Sequence, residues 1–179
     1  TPGLRELQEE EHLSKVLSAC NNVRERKGNY KPILLKFSPD MENEQLLNSA
    51  ETSLKSGVDG FVATNTTLSR YVPKNSQSRS VFAQTGGLSG RPLKSRSLEV
   101  VNLLYDYTES KIPIVGVGGI DSPESAWDMI NSGASLIQLY SALVFQGPSV
   151  VSHIVKGLKR KVKENNFLNI QEAVGYYHK

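Results

Sequence analysis

The chain has 179 residues, which is enough for one domain with a sizeable core, and a formal net charge of +3. Its 21 lysines and arginines are scattered apart from the run at 156–163, a pattern that gives little support to nucleic-acid binding. The single cysteine, Cys20, excludes an internal disulfide framework. Because Cys20 follows Leu13, Val16 and Leu17 at helical spacing, we predict that it is buried. No apolar run reaches the roughly 18 residues that a membrane helix needs.

One opening helix followed by four strand–helix units is the predicted order of elements. The opening helix is predicted over about 5–26, with Gly28 at its end. Four apolar strands follow, at 33–36, 58–66, 112–119 and 135–140. The polar stretch at about 69–84 is too long for a routine connection, so we expect a lid or an insertion there.

A helix with an apolar face is predicted after each strand. The first begins with Asp40 as its cap and ends at Gly57, while Asp59 is expected to lie in a turn. The third begins with Ser122 as its cap and ends before Gly133, and Pro148 begins the last. The apolar positions that define three of these helices are Leu46, Leu47, Ala50 and Leu54; Leu98, Val101 and Leu104; and Val151, Ile154, Val155, Leu158 and Val162.

These elements predict an α/β fold, namely four β/α units that form half of a (β/α)8 TIM barrel. A complete barrel usually takes roughly 250 residues. Strands this rich in Val, Ile and Leu are expected to be buried on both faces, and a half-barrel leaves two sheet edges exposed. The alternative is an open doubly wound sheet. It predicts a glycine fingerprint after the first strand, where this chain has Pro39-Asp40-Met41.

Polar side chains follow the first two strands where each one ends. Lys36 closes the first strand, and burial of a lysine is costly unless it meets an anion or reaches solvent. It is either a fixed positive charge at a ligand or a lysine that snorkels from the barrel mouth. The second strand ends in Thr64-Asn65-Thr66-Thr67, where the Asn65 amide can read a planar amide or a pyrimidine edge. The alternative is a turn in which these side chains bond their own backbone.

Two glycine-rich clusters are also candidates for ligand contact. The segment Gly86-Gly87-Leu88-Ser89-Gly90-Arg91-Pro92 either brings backbone N–H groups close to a ligand or forms a flexible turn. Gly118 and Gly119 follow the third strand, while Tyr140 and Ser141 follow the fourth. If these are strands seven and eight of a barrel, their loops form the phosphate site of that fold. The alternative is two tight strand-to-helix turns.

No metal centre and no catalytic set is predicted. His12, His153 and His178 lie far apart in the sequence and lack the spacing of metal ligands. No Ser/His/Asp set and no pair of carboxylates stands out. The basic run at 156–163 is predicted to be a solvated helix face.

Together these clusters resemble dihydroorotate dehydrogenases, specifically the class 2 enzymes that associate with membranes and use a quinone. The matching strings run in family order over nearly the whole chain, and the Leu-Ser-Gly-Arg-Pro form indicates class 2. The strings are Thr1-Pro2-Gly3-Leu4-Arg5, Leu35-Lys36-Phe37-Ser38-Pro39-Asp40, Thr64-Asn65-Thr66-Thr67, Thr85-Gly86-Gly87-Leu88-Ser89-Gly90-Arg91-Pro92, Gly116-Val117-Gly118-Gly119 and Gln138-Leu139-Tyr140-Ser141.

The resemblance implies an FMN-dependent barrel that oxidises dihydroorotate to orotate in pyrimidine synthesis and passes the electrons to a quinone. It implies that Lys36 lies beside the flavin ring and stabilises negative charge on the reduced isoalloxazine. The other implied contacts are Thr64, Ser89 and Gly90 on FMN, Asn65 and Thr66 on orotate, and Gly118, Gly119, Tyr140 and Ser141 on the FMN phosphate.

The resemblance also implies parts that this sequence does not contain. The family's serine base lies a few residues before the position of Thr1, and an asparagine immediately precedes that position. The first four β/α units, and the amino-terminal helices that form the quinone tunnel, lie upstream as well. The chain is therefore expected to be the carboxyl-terminal half of the enzyme, with no catalytic base and no activity alone. Ser38 and Ser89 match other positions and do not replace that base.

Two other functions stay open at this point. One is another FMN- or phosphate-binding barrel that uses the same loops, and the other is a non-catalytic half-barrel that serves as a binding or assembly module. For localisation, the resemblance implies the mitochondrial inner membrane in eukaryotes or the cell membrane in some bacteria. The stretch past Phe167 favours the mitochondrial alternative.

Overall fold

The computed structural model describes residues 10–28, 30–70 and 84–178, which form a four-stranded parallel sheet packed against helices. The strands are β1 (Leu34–Phe37), β2 (Gly60–Ala63), β3 (Ile114–Val117) and β4 (Leu136–Gln138). The α-helices are α1 (Glu10–Lys27), α2 (Asn43–Lys55), α3 (Lys94–Tyr107), α4 (Pro123–Asn131), α5 (Ser141–Gln146) and α6 (Ser149–Glu164). Short 3-10 helices cover Arg91–Leu93, Ile170–Ala173 and Tyr176–His178.

The strands lie in the sheet in the same order as in the chain, β1-β2-β3-β4. Each pair is parallel, with Ala63 of β2 opposite Phe37 of β1 and Gly116 of β3. The order never reverses, so the sheet lacks the switch point of a doubly wound fold. The prediction of consecutive β/α units is therefore confirmed, and every strand ends at the same edge of the sheet.

The two faces of the sheet differ in what covers them. Phe37, Phe61 and Ile114 are fully buried under the helices, and the Phe37 and Phe61 rings meet edge to face with centroids 5.1 Å apart. On the opposite face, Leu34 and Leu136 are 41% and 64% exposed. The prediction that all four strands are buried on both faces is therefore wrong for β1 and β4. They are the two edge strands, and no described element covers their second face.

Helix starts follow local capping rules in one case and not in another. Ser122 caps α4 as predicted, because its hydroxyl accepts from the Ser125 amide at 3.2 Å in a capping box. Asp40 does not cap α2, since the residue before that helix is Glu42, which makes no side-chain cap. The Asp40 carboxylate instead accepts the amide of Leu68 at 2.8 Å, so it joins two loops of the fold.

Two helices bury only part of the face that the sequence predicts. On α1, Leu13 and Leu17 are buried, whereas Val16 is 42% exposed and Cys20 is also exposed. The prediction that Cys20 is buried is therefore wrong. The helix contacts α2 through a narrow apolar stripe, and Cys20 lies beside that stripe rather than in it.

On α6 the buried residues are Val150, Ile154 and Gly157, while Val151 and Val155 are exposed. The predicted positions Leu158 and Val162 are partly buried against the core, so the prediction is confirmed for them and for Ile154. Gly157 packs directly against the ring of Pro123, where an added Cβ would collide. This close contact between α6 and α4 fixes the rotation of α6. Its basic residues 156, 159, 160 and 163 are exposed, as predicted.

Residues 71–83, which make up most of the predicted lid or insertion, lie outside the described residues, so that expectation stays a prediction. Its described flanks are joined to each other. Thr67 and Leu88 form an antiparallel bridge with N···O distances of 3.0 and 2.7 Å. Arg70 donates to the carbonyl oxygens of Gln84, at 3.3 Å, and Gly86.

Candidate functional site

A cavity of about 890 Å³ lies at the edge of the sheet where the strands end. Lys36 of β1 and the loops that follow β2, β3 and β4 line it, as expected for parallel strands whose carboxyl ends share one edge. Of the candidates from the sequence, Thr67, Gly86, Gly87 and Leu88 do not line this cavity, whereas the ten residues with an assigned flavin or orotate contact do. The ten are Lys36, Thr64, Asn65, Thr66, Ser89, Gly90, Gly118, Gly119, Tyr140 and Ser141.

Lys36 reaches the cavity because strand side chains alternate between the two faces of a sheet. Leu35 and Phe37 pack into the core under the helices, so Lys36 between them lies on the uncovered face. Its side chain is exposed to solvent. A lysine at this position carries its positive charge at the cavity without the cost of full burial.

The turn after β2 combines internal bonds with a group that is turned to the cavity. Thr64 is 1% exposed, and its hydroxyl lies 3.1 Å from that of Ser97 and donates to the Asn65 carbonyl at 3.0 Å. Asn65 Oδ1 accepts the Thr66 amide at 2.8 Å. This oxygen therefore bonds its own backbone, as in the turn that the sequence analysis gave as the alternative. The Asn65 Nδ2 group is left as a donor for an acceptor atom in the cavity.

The turn after β3 requires glycine at two consecutive positions. Gly118 and Gly119 have φ values of +127° and +68°, which side chains rarely adopt. A Cβ on Gly119 would lie 2.8 Å from the backbone Cα of Lys94 at the start of α3. In the described part of the chain, the Gly118 and Gly119 amides have no protein acceptor. These N–H groups are therefore suited to an anionic ligand.

The glycine-rich loop is tied to the turn after β4. The hydroxyls of Ser89 and Ser141 lie 2.8 Å apart. Gly90, at φ +83°, lies against Ser141, where an added Cβ would approach its side chain to 3.5 Å. Ser89, Gly90, Tyr140 and Ser141 therefore form one continuous wall of the cavity.

An ion pair that the sequence analysis assigned no role lies at the cavity wall. Arg91 Nε donates to the Asp121 carboxylate, and this hydrogen bond raises the pKa of the Arg91 guanidinium above its ordinary value. Gln146 adds a bond from Nε2 to the Asp121 carbonyl at 3.1 Å. Arg91 belongs to the predicted glycine-rich loop, but no sequence signal paired it with Asp121, which is 30 residues away.

The histidines have no common site. His178 Nδ1 lies 2.6 Å from the Asp106 carboxylate, and its Nε2 lies 2.9 Å from Asn102 Oδ1, which docks the last 3-10 helix onto α3. His153 is exposed on α6. Within the described ranges, no three His, Cys, Asp or Glu side chains are grouped so that they could hold a metal ion.

The comparisons with known proteins agree with this arrangement. The family model for dihydroorotate dehydrogenase matches residues 1–162. The chain belongs to the dihydroorotate dehydrogenase family. It is 42% identical over 185 residues to a dihydroorotate dehydrogenase (quinone) of Trichodesmium erythraeum, covering 100% of this chain and 48% of the relative. A protein of the same description from Nautilia profundicola is 42% identical over 175 residues, covering 98% and 46%.

A solved structure gives the same result for the fold. The crystal structure of DHODH from Eimeria tenella in complex with ferulenol superposes with a TM-score of 0.90 at 31% identity, covering 100% of this chain and 51% of that chain. The chain therefore spans about half the length of the family members that it matches, and it aligns with their carboxyl-terminal part. The four-stranded sheet matches half of the dihydroorotate dehydrogenase barrel.

The dihydroorotate dehydrogenase family uses FMN, and three features of the cavity can be compared with this cofactor. Its volume lies within the usual range of cofactor sites, about 300–1,000 Å³. The unpaired amides of Gly118 and Gly119 lie on the β3 side, where they suit a phosphate. Lys36 and Asn65 lie on the β1 and β2 side, where they suit a planar polar ring.

An apolar rim borders the cavity of this dihydroorotate dehydrogenase half-barrel, and the sequence analysis did not identify it. Tyr140, Val144 and Phe145 are 74%, 67% and 86% exposed at the start of and along α5, and Phe145 also lines the cavity. Exposed apolar side chains in one patch indicate an interaction surface. Within the described parts of the chain, no helix is both long and apolar enough to cross a membrane.

Proposed function

We propose that this chain supplies the FMN-binding half of a quinone-dependent dihydroorotate dehydrogenase, which oxidises dihydroorotate to orotate in pyrimidine synthesis. The observation that carries the proposal is the convergence of Lys36 of β1, and of the loops that follow β2, β3 and β4, on one cavity of about 890 Å³. Family membership supports the reaction class, because relatives over 40% identical are named dihydroorotate dehydrogenase (quinone).

The phosphate of FMN would bind at the turns that follow β3 and β4. The amides of Gly118 and Gly119 donate to it, and Tyr140 and Ser141 complete the wall on the other side. These amides are held in place before binding, because the two glycines pack against the start of α3. A preformed donor set binds an anion without a cost for ordering the loop.

Lys36, Thr64, Ser89 and Gly90 would contact the remainder of FMN. When bound, FMN supplies the chemistry by accepting the two electrons that leave dihydroorotate. Lys36 contributes a positive charge on the uncovered face of the sheet, where it favours negative charge in the cavity. Thr64 and Ser89 are held by Ser97 and Ser141, so their side chains meet the cofactor in fixed positions.

Asn65 and Thr66 would orient dihydroorotate and orotate. Because Asn65 Oδ1 already accepts the Thr66 amide, the Asn65 Nδ2 group faces the ligand as a donor. A donor at this position suits the carbonyl and carboxylate oxygens of the substrate. The site would favour dihydroorotate and orotate over ligands that lack a matching acceptor, because such ligands leave this amide group unpaired.

The proton-abstracting serine and the other half of the barrel would come from sequence upstream of Thr1. We therefore propose that the chain alone does not oxidise dihydroorotate. Turnover by the pure, isolated chain contradicts this proposal. The uncovered face of β1 and β4 supports it, because Leu34 and Leu136 stay exposed in this chain.

The electron acceptor would be a quinone, and the apolar rim suits a lipophilic molecule. Val144 and Phe145 offer apolar contact next to the cavity. Membrane association would come from amino-terminal helices of the complete enzyme. Two locations follow from this function, the mitochondrial inner membrane and the bacterial cell membrane. The stretch past Phe167 favours the first, while the bacterial origin of most of the relatives supports the second.

The complete enzyme tests this function directly. We expect the purified protein to be yellow, with a flavin absorbance band, and to reduce a quinone only when dihydroorotate is present. Orotate should raise its Tm, since a ligand that binds only the native state stabilises it. If another flavin-site ligand raises the Tm and orotate does not, a different FMN barrel is the function. A colourless protein that folds indicates a non-catalytic module.

A further inference from the structure

We propose that Asp40 is a positioning residue for the substrate, because its carboxylate holds the turn that contains Asn65 and Thr66. The inference rests on the proposed function, in which this turn contacts dihydroorotate and orotate. Asp40 is not among the residues that line the main cavity. It acts through Thr67 and Leu68, which directly follow the substrate turn.

The contact between Asp40 and the turn has two parts. One carboxylate oxygen, Oδ2, accepts the backbone amide of Leu68 at 2.8 Å, and Oδ1 accepts the hydroxyl of Thr67. Thr67 is 8% exposed, so its hydroxyl bonds inside the fold. Hydrogen bonds to an ionised carboxylate are stronger than bonds between neutral groups. This two-point contact fixes both the position and the direction of the chain just beyond Thr66.

Asp40 is itself held from the helix layer. Arg96, on α3, donates from Nε to the Pro39 carbonyl at 2.9 Å and from Nη2 to the Met41 carbonyl at 2.6 Å. These are the residues on either side of Asp40, and the Asp40 amide donates to Ser38 Oγ at 3.3 Å. The carboxylate therefore has a fixed backbone from which to hold the turn.

The same connection reaches the glycine-rich loop. Thr67 and Leu88 exchange both backbone hydrogen bonds, at 3.0 and 2.7 Å. Gly87 packs so closely on Thr66 that a side chain at position 87 would collide with it. Asp40, Thr67 and Leu88 line a second cavity, of about 580 Å³. The turn is thus held from behind, on the side away from the proposed ligand.

Asp59 provides a matched control at the opposite end of the same strands. Its carboxylate also accepts one backbone amide, that of Ile33 at 2.7 Å, and one hydroxyl, that of Tyr30, and in addition it pairs with Arg24 Nη1 at 2.9 Å. It lies just before β2, whereas the substrate turn lies just after β2. Loss of Asp59 should therefore weaken the fold without moving Asn65 or Thr66.

The experiment compares Asp40→Ala, Asp40→Asn, Thr67→Val and Asp59→Ala in the complete, FMN-loaded enzyme. For Asp40→Ala we expect the Kd of orotate, measured by calorimetry, and the KM of dihydroorotate to rise roughly tenfold, which corresponds to about 1.4 kcal/mol. FMN content should change much less, because the amides of Gly118 and Gly119 do not contact Asp40 and Ser89 is also held by Ser141. Asp40→Asn keeps an acceptor for Leu68 and should restore part of the affinity.

Thr67→Val keeps the side-chain shape but removes the hydroxyl that bonds Asp40, so it should also raise the orotate Kd. The orotate Kd of the Asp40→Ala/Thr67→Val double variant should be no higher than that of Asp40→Ala alone. Asp59→Ala should lower the Tm and leave the orotate Kd unchanged. If the orotate Kd of Asp40→Ala equals that of the wild type, the inference is overturned. If Asp40→Ala does not fold, an unchanged orotate Kd in Thr67→Val overturns it instead. If the wild-type enzyme binds neither FMN nor orotate, the proposed function fails instead.

Discussion

The Ser89 and Ser141 hydroxyls lie 2.8 Å apart, although 52 residues separate them in the chain. Ser89 belongs to the glycine-rich loop that leads into α3, and Ser141 begins α5 after the last strand. Their hydrogen bond joins the loop proposed to contact the flavin to the turn proposed to contact its phosphate. The two halves of the proposed FMN site are thereby coupled.

Loss of either hydroxyl should weaken FMN binding. For Ser141→Ala in the complete enzyme we expect an FMN Kd about two- to tenfold higher, the range that a hydrogen bond of about 0.5–1.5 kcal/mol gives. The Ser89→Ala/Ser141→Ala double variant should lose less FMN-binding free energy than the sum of the losses in the two single variants, because both substitutions remove the same hydrogen bond. Ser149→Ala, an exposed serine on α6, is the control. Strictly additive losses mean that the two hydroxyls act separately.

Removal of the Lys36 charge should reduce turnover. For Lys36→Ala in the complete enzyme we expect kcat to fall about 10²-fold, similar to the loss of one electrostatic contact in other active sites, or FMN to be lost. Lys156→Ala, which removes an exposed lysine on α6, should change neither quantity. The measurements are the quinone-reduction rate and the flavin absorbance per protein. If both stay at wild-type levels in Lys36→Ala, Lys36 is a surface lysine.

Gly119→Ala should be more harmful than Gly147→Ala, although both glycines have φ near +70°. A side chain at such a φ costs about 1–3 kcal/mol, and the cost applies at Gly147 as well, where ψ is −179°. At position 119 the new Cβ also meets the backbone of Lys94, whereas nothing lies within 4 Å of position 147. We expect Gly119→Ala to cost about 1–3 kcal/mol more and to lower FMN content. Equal Tm values and equal FMN contents contradict this expectation.

Asp59 should make the stability of the fold depend on acidic pH. The hydrogen bond from Tyr30 is the largest cause that lowers the pKa of Asp59, followed by the Ile33 amide and Arg24. Since the folded pKa lies below the ordinary value of 3.8, the ionised form stabilises the fold fully above that pH. The contribution is lost as the pH falls through the folded pKa.

The corresponding variant is Asp59→Asn, which removes the charge and keeps the shape. We expect its Tm to lie below that of the wild type at pH 7. The gap should narrow as the pH is lowered from about 4 towards 2, measured by thermal denaturation of the complete enzyme. A gap that stays constant over this range would mean that Asp59 does not titrate with folding.

The number and order of the strands, the cap at Ser122 and most of the residues that meet at the cavity could be inferred from the amino-acid sequence. These features follow from short-range physics. Apolar periodicity defines the elements, and serine before a helix satisfies free amides. Once the strands are parallel, whatever follows each of them must lie at the same edge. Lys36, Asn65, Gly119 and Tyr140 could therefore be placed together without coordinates.

Tertiary structure alone decided which helix faces are buried and which polar groups meet across the chain. Val151 and Ile154 look equally suited to the core in the sequence, but the contact of Gly157 with Pro123 rotates α6 so that only Ile154 is buried. Asp40 has the sequence context of a helix cap, yet it bonds Leu68 because the next loop passes within reach. Partners separated by 28 or 52 residues depend on where two loops arrive in space, and no local pattern encodes that distance.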